Sequence, residues 1–198
     1  MHPRNYLSYS QLLLWEKSPE QYKAAYLEGQ KFGTNRGQAL GKEIAEAMEN
    51  DVETGDIVKD LVIAQIPVYE LRDKKIEMTL GKGKEAVPLL VKPDSCKADH
   101  SAFLEIKTGL EGNWNQSKVN HDDQITFYST GLYILTKKIP SAELIHAPTK
   151  QDEMGRPSLV GEIKRYPTKR TLLDILKMQA RMRHAWLQIG KMCEAELL

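Results

Sequence analysis

Cysteine is nearly missing. Only two occur among 198 residues, Cys96 and Cys193. They can form at most one disulfide, and they cannot supply the four thiolates of a structural zinc or iron–sulfur site. Glycine and proline are also sparse, at 13 and nine, which excludes collagen-like and low-complexity chains. An excess of charge of one sign is missing too. With 28 Lys and Arg against 27 Asp and Glu, the formal charge is +1, so no overall polycation advertises nucleic acid. No uninterrupted apolar run approaches the roughly 18 residues that a bilayer span requires. The stretch Met1-His2-Pro3-Arg4-Asn5-Tyr6-Leu7 has no apolar core of signal-peptide length. The expected location is therefore the cytoplasm, where both cysteines stay as free thiols.

What remains is ordinary globular usage, 41% hydrophobic and 28% charged. At roughly 150 residues per domain, the expectation is one domain over 1–198. It comprises a helical part (6–65), a sheet-and-helix part (66–136), and closing strands with a long helix (141–198). The near-neutral total hides an uneven distribution. Acids crowd 43–60 (Glu43, Glu46, Glu49, Asp51, Glu53, Asp56, Asp60), opposed by Lys59 alone. Bases crowd 164–191 (Lys164, Arg165, Lys169, Arg170, Lys177, Arg181, Arg183, Lys191), opposed by Asp174 alone. Such runs are usually solvated faces, so the asymmetry allows a nucleic-acid partner without requiring one.

Ser8-Tyr-Ser-Gln11 and Ser18-Pro-Glu-Gln21 have the form of helix capping boxes, the second with Pro at the first helical position. Two short helices bent at Ser18-Pro19 are predicted. After Gly33-Thr34-Asn35, a third helix carries Gly37, Leu40, Gly41, Ile44 and Met48 on one stripe. Its two internal glycines suggest close approach of another element. Helix resumes around 57–65. Short apolar or alternating runs at 67–71, 75–80, 86–91 and 102–106 read as an antiparallel meander, with Pro88 at a strand start or edge. A helix over about 122–136, capped by Asp122 or Asp123, buries Ile125, Tyr128, Leu132 and Leu135. Strands at 143–146 and 159–166 and a helix from 169 to about 192 complete the chain.

The chemistry concentrates in Lys92-Pro93-Asp94, then, after ten residues, Glu105-Ile106-Lys107-Thr108-Gly109. Glu105 and Lys107, two apart in a strand, project from one face. If this strand and the one before Asp94 form a hairpin, two carboxylates and an ammonium meet at a sheet edge. Paired carboxylates suit Mg²⁺ or Mn²⁺, hard cations with oxygen ligands. The ammonium can orient or help deprotonate an attacking water. By itself a Glu-x-Lys pair is more often a solvated strand face.

The order of its companions resembles the PD-(D/E)XK nuclease superfamily, and within it the RecB-like exonuclease branch of phage and CRISPR-associated type. The shared pieces are Ser8-Tyr9-Ser10-Gln11-Leu12, Pro19-Glu20-Gln21-Tyr22, Pro93-Asp94, Glu105-Ile106-Lys107-Thr108-Gly109 and Gln124-Ile-Thr-Phe-Tyr128. The resemblance implies an α/β restriction-endonuclease-like core, a mixed central sheet flanked by helices. It also implies a Mg²⁺- or Mn²⁺-dependent DNA nuclease, an exonuclease of recombination, repair or phage DNA processing. Asp94, Glu105 and the Ile106 carbonyl would hold the metal, and Lys107 would position water. Gln124 and Tyr128 would orient Lys107 or the scissile phosphate. DNA is the implied partner, with a recombinase, helicase or single-strand-binding protein as further candidates, and no membrane.

Two departures stand out. The branch commonly has Gly-x-x-x-His followed four residues later by Glu; here Gly41 leads to Ala45 and Glu49, without the ligating histidine. At about 100° per residue, Glu49 points about 40° from Ala45, Glu46 about 100° and Glu43 about 160°. Glu49 is thus the expected substitute, Glu46 the second choice. The missing histidine also motivates a rival: an inactive nuclease fold serving as a DNA-binding or assembly subunit. Second, Ser18 stands where iron–sulfur relatives often carry a cysteine, so no cluster is expected. Trp114 and Lys118, in the polar loop beyond the lysine, are candidates to meet a base and its phosphate. Arg181 and Arg183 on the last helix are candidates for backbone contact. His121, His146, Trp15 and Trp186 read as hydrogen-bonding or packing residues.

Overall fold

The helices at the start of the chain form where the caps and stripes place them, although one cap works differently. The computed structural model describes residues 2–31, 33, 36–50, 52–154, 157–160 and 162–195. The turn at Thr34 and Asn35, Asp51 of the acidic run and the surroundings of Gly37 lie outside that description. Helices α1 (Tyr9–Lys17) and α2 (Pro19–Tyr26) meet at Ser18, whose extended backbone breaks the helix and whose hydroxyl accepts from the Gln21 N–H at 3.2 Å. Ser8 caps no backbone N–H. Its partner Gln11 is buried and donates to the Tyr6 carbonyl and the Ser8 hydroxyl, while accepting from the Tyr22 hydroxyl at 3.1 Å. A buried amide must have partners, so tying α1 to α2 outweighs the cap.

Helices α3 (Arg36–Asn50) and α4 (Ile57–Ala64) follow. The stripe residues Leu40, Ile44 and Met48 are buried. A Cβ at Gly41 would lie 3.0 Å from Thr108 Oγ1, which is the close approach its glycine suggested.

The expected meander is not what forms. Strands β2 (Ile76–Leu80) and β3 (Val87–Val91) pair with each other as a separate two-stranded ribbon. In the main sheet, β4 (Ser95–Cys96) pairs antiparallel with β1 (Leu71–Arg72) on one side and with β5 (Ala102–Leu110) on the other. With only two residues, β4 shows no alternation that a sequence could betray. The Pro88 carbonyl accepts from Leu7 on the side away from β2, so its missing N–H leaves the ribbon's ladder intact.

The other neighbour of β5 is β6 (Ser141–Gln151), parallel, with Glu105 beside Leu144 and Lys107 beside His146. A parallel pair needs a crossover, supplied by α5 (Gln116–Asn120) and α6 (Asp123–Thr136). The short α5, capped by Asn115, lies in what reads from sequence as loop. Two edge strands, β7 (Pro157–Leu159) and β8 (Lys164–Lys169), replace the single strand expected over 159–166, and both pair with β6. Helix α7 (Leu172–Ala195) closes the fold. The architecture is α/β, a mixed central sheet flanked by helices, as expected.

Two apolar layers hold it together. Leu104, Ile145 and Ala147 face Leu40, Ile44, Met48, Val62 and Ile66 of α3, α4 and the segment after α4. On the opposite face, Phe103 and Leu144 join Ile125, Phe127 and Leu132 of α6 and Met178, Met182 and Ile189 of α7. Each fully buried side chain of this size contributes about 1.5–3 kcal/mol. Because α6 lies between sheet, ribbon and α7, it is buried nearly all round, Ser129, Thr130 and Gly131 included. Leu135, expected in the core, is instead 41% exposed near the helix end. No described helix is long and apolar enough to cross a membrane.

Candidate active site

The middle of β5, just beyond its short pairing with β4, and the first turns of α6 assemble a polar cluster. Asp94 immediately precedes β4, and its Oδ2 accepts from the Ile106 N–H at 2.6 Å. The convergence expected from a hairpin is therefore achieved through β4 rather than β3. Glu105 is 3% exposed, and its Oε1 accepts from Lys107 Nζ at 2.7 Å and from Gln124 Nε2 at 2.6 Å. Lys107 Nζ also donates to Gln124 Oε1 at 2.8 Å, and Gln124 Nε2 donates to the Tyr128 hydroxyl at 3.0 Å. Gln124 and Tyr128, one helical turn apart, face the strand from α6, so five of the residues singled out from sequence meet here.

Both carboxyls are pushed toward their neutral forms. Burial raises Asp94 above its ordinary range against the pull of the Ile106 N–H and Lys107. Glu105 is pushed up to about 8, by burial first and by the Asp94 charge second. Burial alone would lower the Lys107 ammonium, but the Glu105 carboxylate beside it wins and lifts it. Tyr128 is raised by burial.

This donor set fits a hard divalent cation. Glu105 Oε2 is buried without a hydrogen-bond partner, a costly state for a carboxylate oxygen. Beside Asp94 lies a cleft of about 10 Å³, room for about one water or ion, lined by Ala45, Glu49, Arg72, Asp73, Asp94 and Ile106 among others. Among the described residues, no three His, Cys, Asp or Glu side chains already form a metal-holding group. An ion here would draw on Asp94, Glu105, the Ile106 carbonyl and water.

No family model matches the sequence, and no curated protein does. Solved structures do. A candidate exonuclease from Eubacterium rectale superposes with a TM-score of 0.61 at 14% identity, over 97% of this chain and 82% of that one. LHK-Exo in complex with dAMP gives 0.53 at 11% identity, over 98% and 92%. An alkaline exonuclease (LHK-Exo) from Laribacter hongkongensis gives 0.47 at 10% identity, over 98% and 95%. The chain shares its fold with the first two of these structures.

Within that fold the remaining candidates separate. Glu49 lines the cleft beside Ala45. Glu43 instead pairs with Lys59 at 2.7 Å and Glu46 with Lys42 at 3.4 Å. Lys118 Nζ stands 4.5 Å over the half-buried Trp114 ring and donates to the Asn113 carbonyl, so this pair meets. Arg181 donates to both oxygens of Glu16 and both of Asp123, at 2.7–3.0 Å, clamping α7 to α1 and α6. Its guanidinium is engaged by two carboxylates, partners that the expectation of backbone contact there did not include. Arg183 is exposed, with its guanidinium against Gly81 at the ribbon turn. Trp15 packs edge-on to Tyr22, and Trp186 stacks on His2. His121 bonds the Ser117 carbonyl, and the buried His146 bonds the Gly109 carbonyl.

Three residues were given no individual role from the sequence. Arg170 is 4% exposed and donates to the Val119 and Asp122 carbonyls and to the Thr126 and Thr168 hydroxyls. It thereby secures the turn that presents Gln124. Asp73 and Lys92 form an ion pair next to Asp94, which the sequence did not show. Nothing local marks any of the three, because their neighbours come from distant segments.

Proposed function

We propose that the protein is a divalent-metal-dependent deoxyribonuclease of the RecB-like PD-(D/E)XK type, acting as an exonuclease on DNA in recombination, repair or phage DNA processing. The observation that supports it is the hydrogen-bonded set Glu105, Lys107, Gln124 and Tyr128 beside Asp94, in a fold shared with the first two of those structures. Of the neighbours in fold, one is described as an exonuclease candidate and one was crystallised with dAMP. Asp94, Glu105 and the Ile106 carbonyl would hold Mg²⁺ or Mn²⁺, with Glu49 completing the acidic side. The ion would make water acidic and offset charge on the phosphate. Gln124 accepts from Lys107 and so aims its ammonium, which would donate a hydrogen bond to the oxygen of the attacking water and orient it. Tyr128 holds the Gln124 amide in the orientation that does this. Lys118 and Trp114 would meet the strand beyond Lys107, with Arg183 a more distant backbone contact. With alanine at position 45, Mn²⁺ should outperform Mg²⁺, which demands a more ideal octahedron.

The test is cleavage of end-labelled single- and double-stranded DNA with Mn²⁺ or Mg²⁺, alongside calorimetric metal titration. Asp94→Ala and Glu105→Ala should lose both metal uptake and cleavage. Lys107→Ala should keep metal uptake while turnover falls by about 10²-fold or more. Metal uptake without any cleavage by the wild type would favour the inactive DNA-binding reading that Ala45 motivates. Cleavage surviving in both carboxylate variants would remove the site assignment.

A further inference from the structure

The β1–β4 pairing brings to the metal side a carboxylate that the sequence motif does not contain. Arg72 is the register partner of Ser95. Continuing that register by one residue sets Asp73 opposite Asp94, and the Asp73 N–H donates to the Asp94 carbonyl at 3.0 Å. Asp73 adopts a left-handed backbone, φ 48°, which Asp tolerates better than most residues and which ends β1 beside the cleft. Arg72 Nη1 donates to the Met48 carbonyl at 3.1 Å, tying the end of α3, and with it Glu49, to this point. Glu49, Asp73, Asp94 and Ile106 line one cleft.

Carboxylates directly opposite one another across a strand pair repel, and Asp73 is among the charges that raise Asp94. The arrangement needs a cation. In the structure that cation is Lys92, ion-paired with Asp73, its side chain 40% exposed. A lysine this exposed can withdraw into solvent at small cost, because surface pairs of this kind are weak. Glu105 Oε2 is buried with no hydrogen-bond partner, within the field of the Asp94 charge. An ion held by Asp94 and Glu105 would give that oxygen the partner it lacks.

Resting on the nuclease reading, we propose that Asp73 is a third carboxylate of the metal centre, supplying what Ala45 cannot, and that Lys92 is the internal cation with which the divalent ion competes. The two residues then have opposite effects on metal affinity. Removing the charge of Asp73 weakens the site. Removing Lys92 strengthens it, because no ammonium has to be displaced. A pair serving only to hold the turn would give the same sign for both.

The experiment is calorimetric titration of Mn²⁺ into the chelator-treated full chain, with the electron paramagnetic resonance signal of free Mn²⁺ as a second readout. Asp73→Asn should weaken binding about tenfold or more, and Lys92→Met should tighten it several-fold. The gain from Lys92→Met should vanish in the double variant, since the coupling runs through Asp73. Circular dichroism in chelator checks that each variant folds, and Lys92→Met carries the test should Asp73→Asn fail to. Loss of uptake in Asp94→Asn and Glu105→Gln, with Asp73→Asn and Lys92→Met behaving as wild type, overturns the inference and leaves the nuclease site standing. Weaker binding in Lys92→Met overturns it too. No Mn²⁺ uptake by the wild type overturns both readings.

Discussion

Glu105 accepts two hydrogen bonds on one oxygen and none on the other, and its titration makes that imbalance measurable. Its folded pKa is raised from 4.5 to about 8, so between those values the native state holds a proton that the unfolded chain has released. Stability then falls as pH rises: the contribution is complete below about pH 4.5 and is lost by the time pH passes 8. Burial of Asp94 acts in the same direction. Denaturant midpoints in chelator should be lower at pH 8 than at pH 6, Glu105→Gln should flatten the difference, and Mn²⁺ should restore the wild type at pH 8. A midpoint that climbs over this window would mean that Lys107 already neutralises the carboxylate in full. At this scale much of the candidate site was legible through the family resemblance, whose Glu-x-Lys and Gln-x-x-x-Tyr spacings the strand and helix periods put on one face. The carboxylate partners of Arg181 were not legible, for the opposite reason. A basic residue on an exposed helix face looks the same whether its partner is a phosphate or, as here, Glu16 and Asp123 from two other helices.

Elements were legible in proportion to their length. Helix α7 and the α3 stripe announce themselves over several turns, whereas β4 and α5 are too short to carry a period. Between α6 and the ribbon, the decisive residue is Gly131, where a Cβ would sit 2.6 Å from Val91 Cγ1 and 3.3 Å from the Met78 sulfur. Gly131→Ala gains up to about 1 kcal/mol of helix propensity. It should nonetheless destabilise by about 1–3 kcal/mol, because the overpacking falls on a branched side chain in a filled core. Val91→Ala in the same chain should recover part of the loss, a positive coupling in a double-mutant cycle read from urea midpoints. Additive losses would mean that α6 and β3 shift apart freely.

On the scale of the whole molecule the sheet separates two apolar layers of unequal size. The layer under α6 and α7 is the larger and includes the ribbon and α1, while α3 and α4 rest on a smaller cluster around Leu104 and Ile145. Local opening follows buried apolar contact, so amide exchange should be slowest in β5, β6 and α6, and faster in α3 and α4 even though α3 carries Glu49. Mn²⁺ should slow exchange at the end of α3 if that helix helps hold the ion. Protection of α3 equal to that of α6 would contradict the unequal layers. The sequence by itself determined the α/β character and the helix stripes, because these rest on local periodicity, and it named Asp94, Glu105 and Lys107 through the order of motifs that carries the family resemblance. Only the tertiary structure decided that β5 pairs with β6 rather than β3, that Arg181 is spent on carboxylates, and that Asp73 faces Asp94. Those are pairings between distant segments, chosen by which surfaces bury together, and no local period records them.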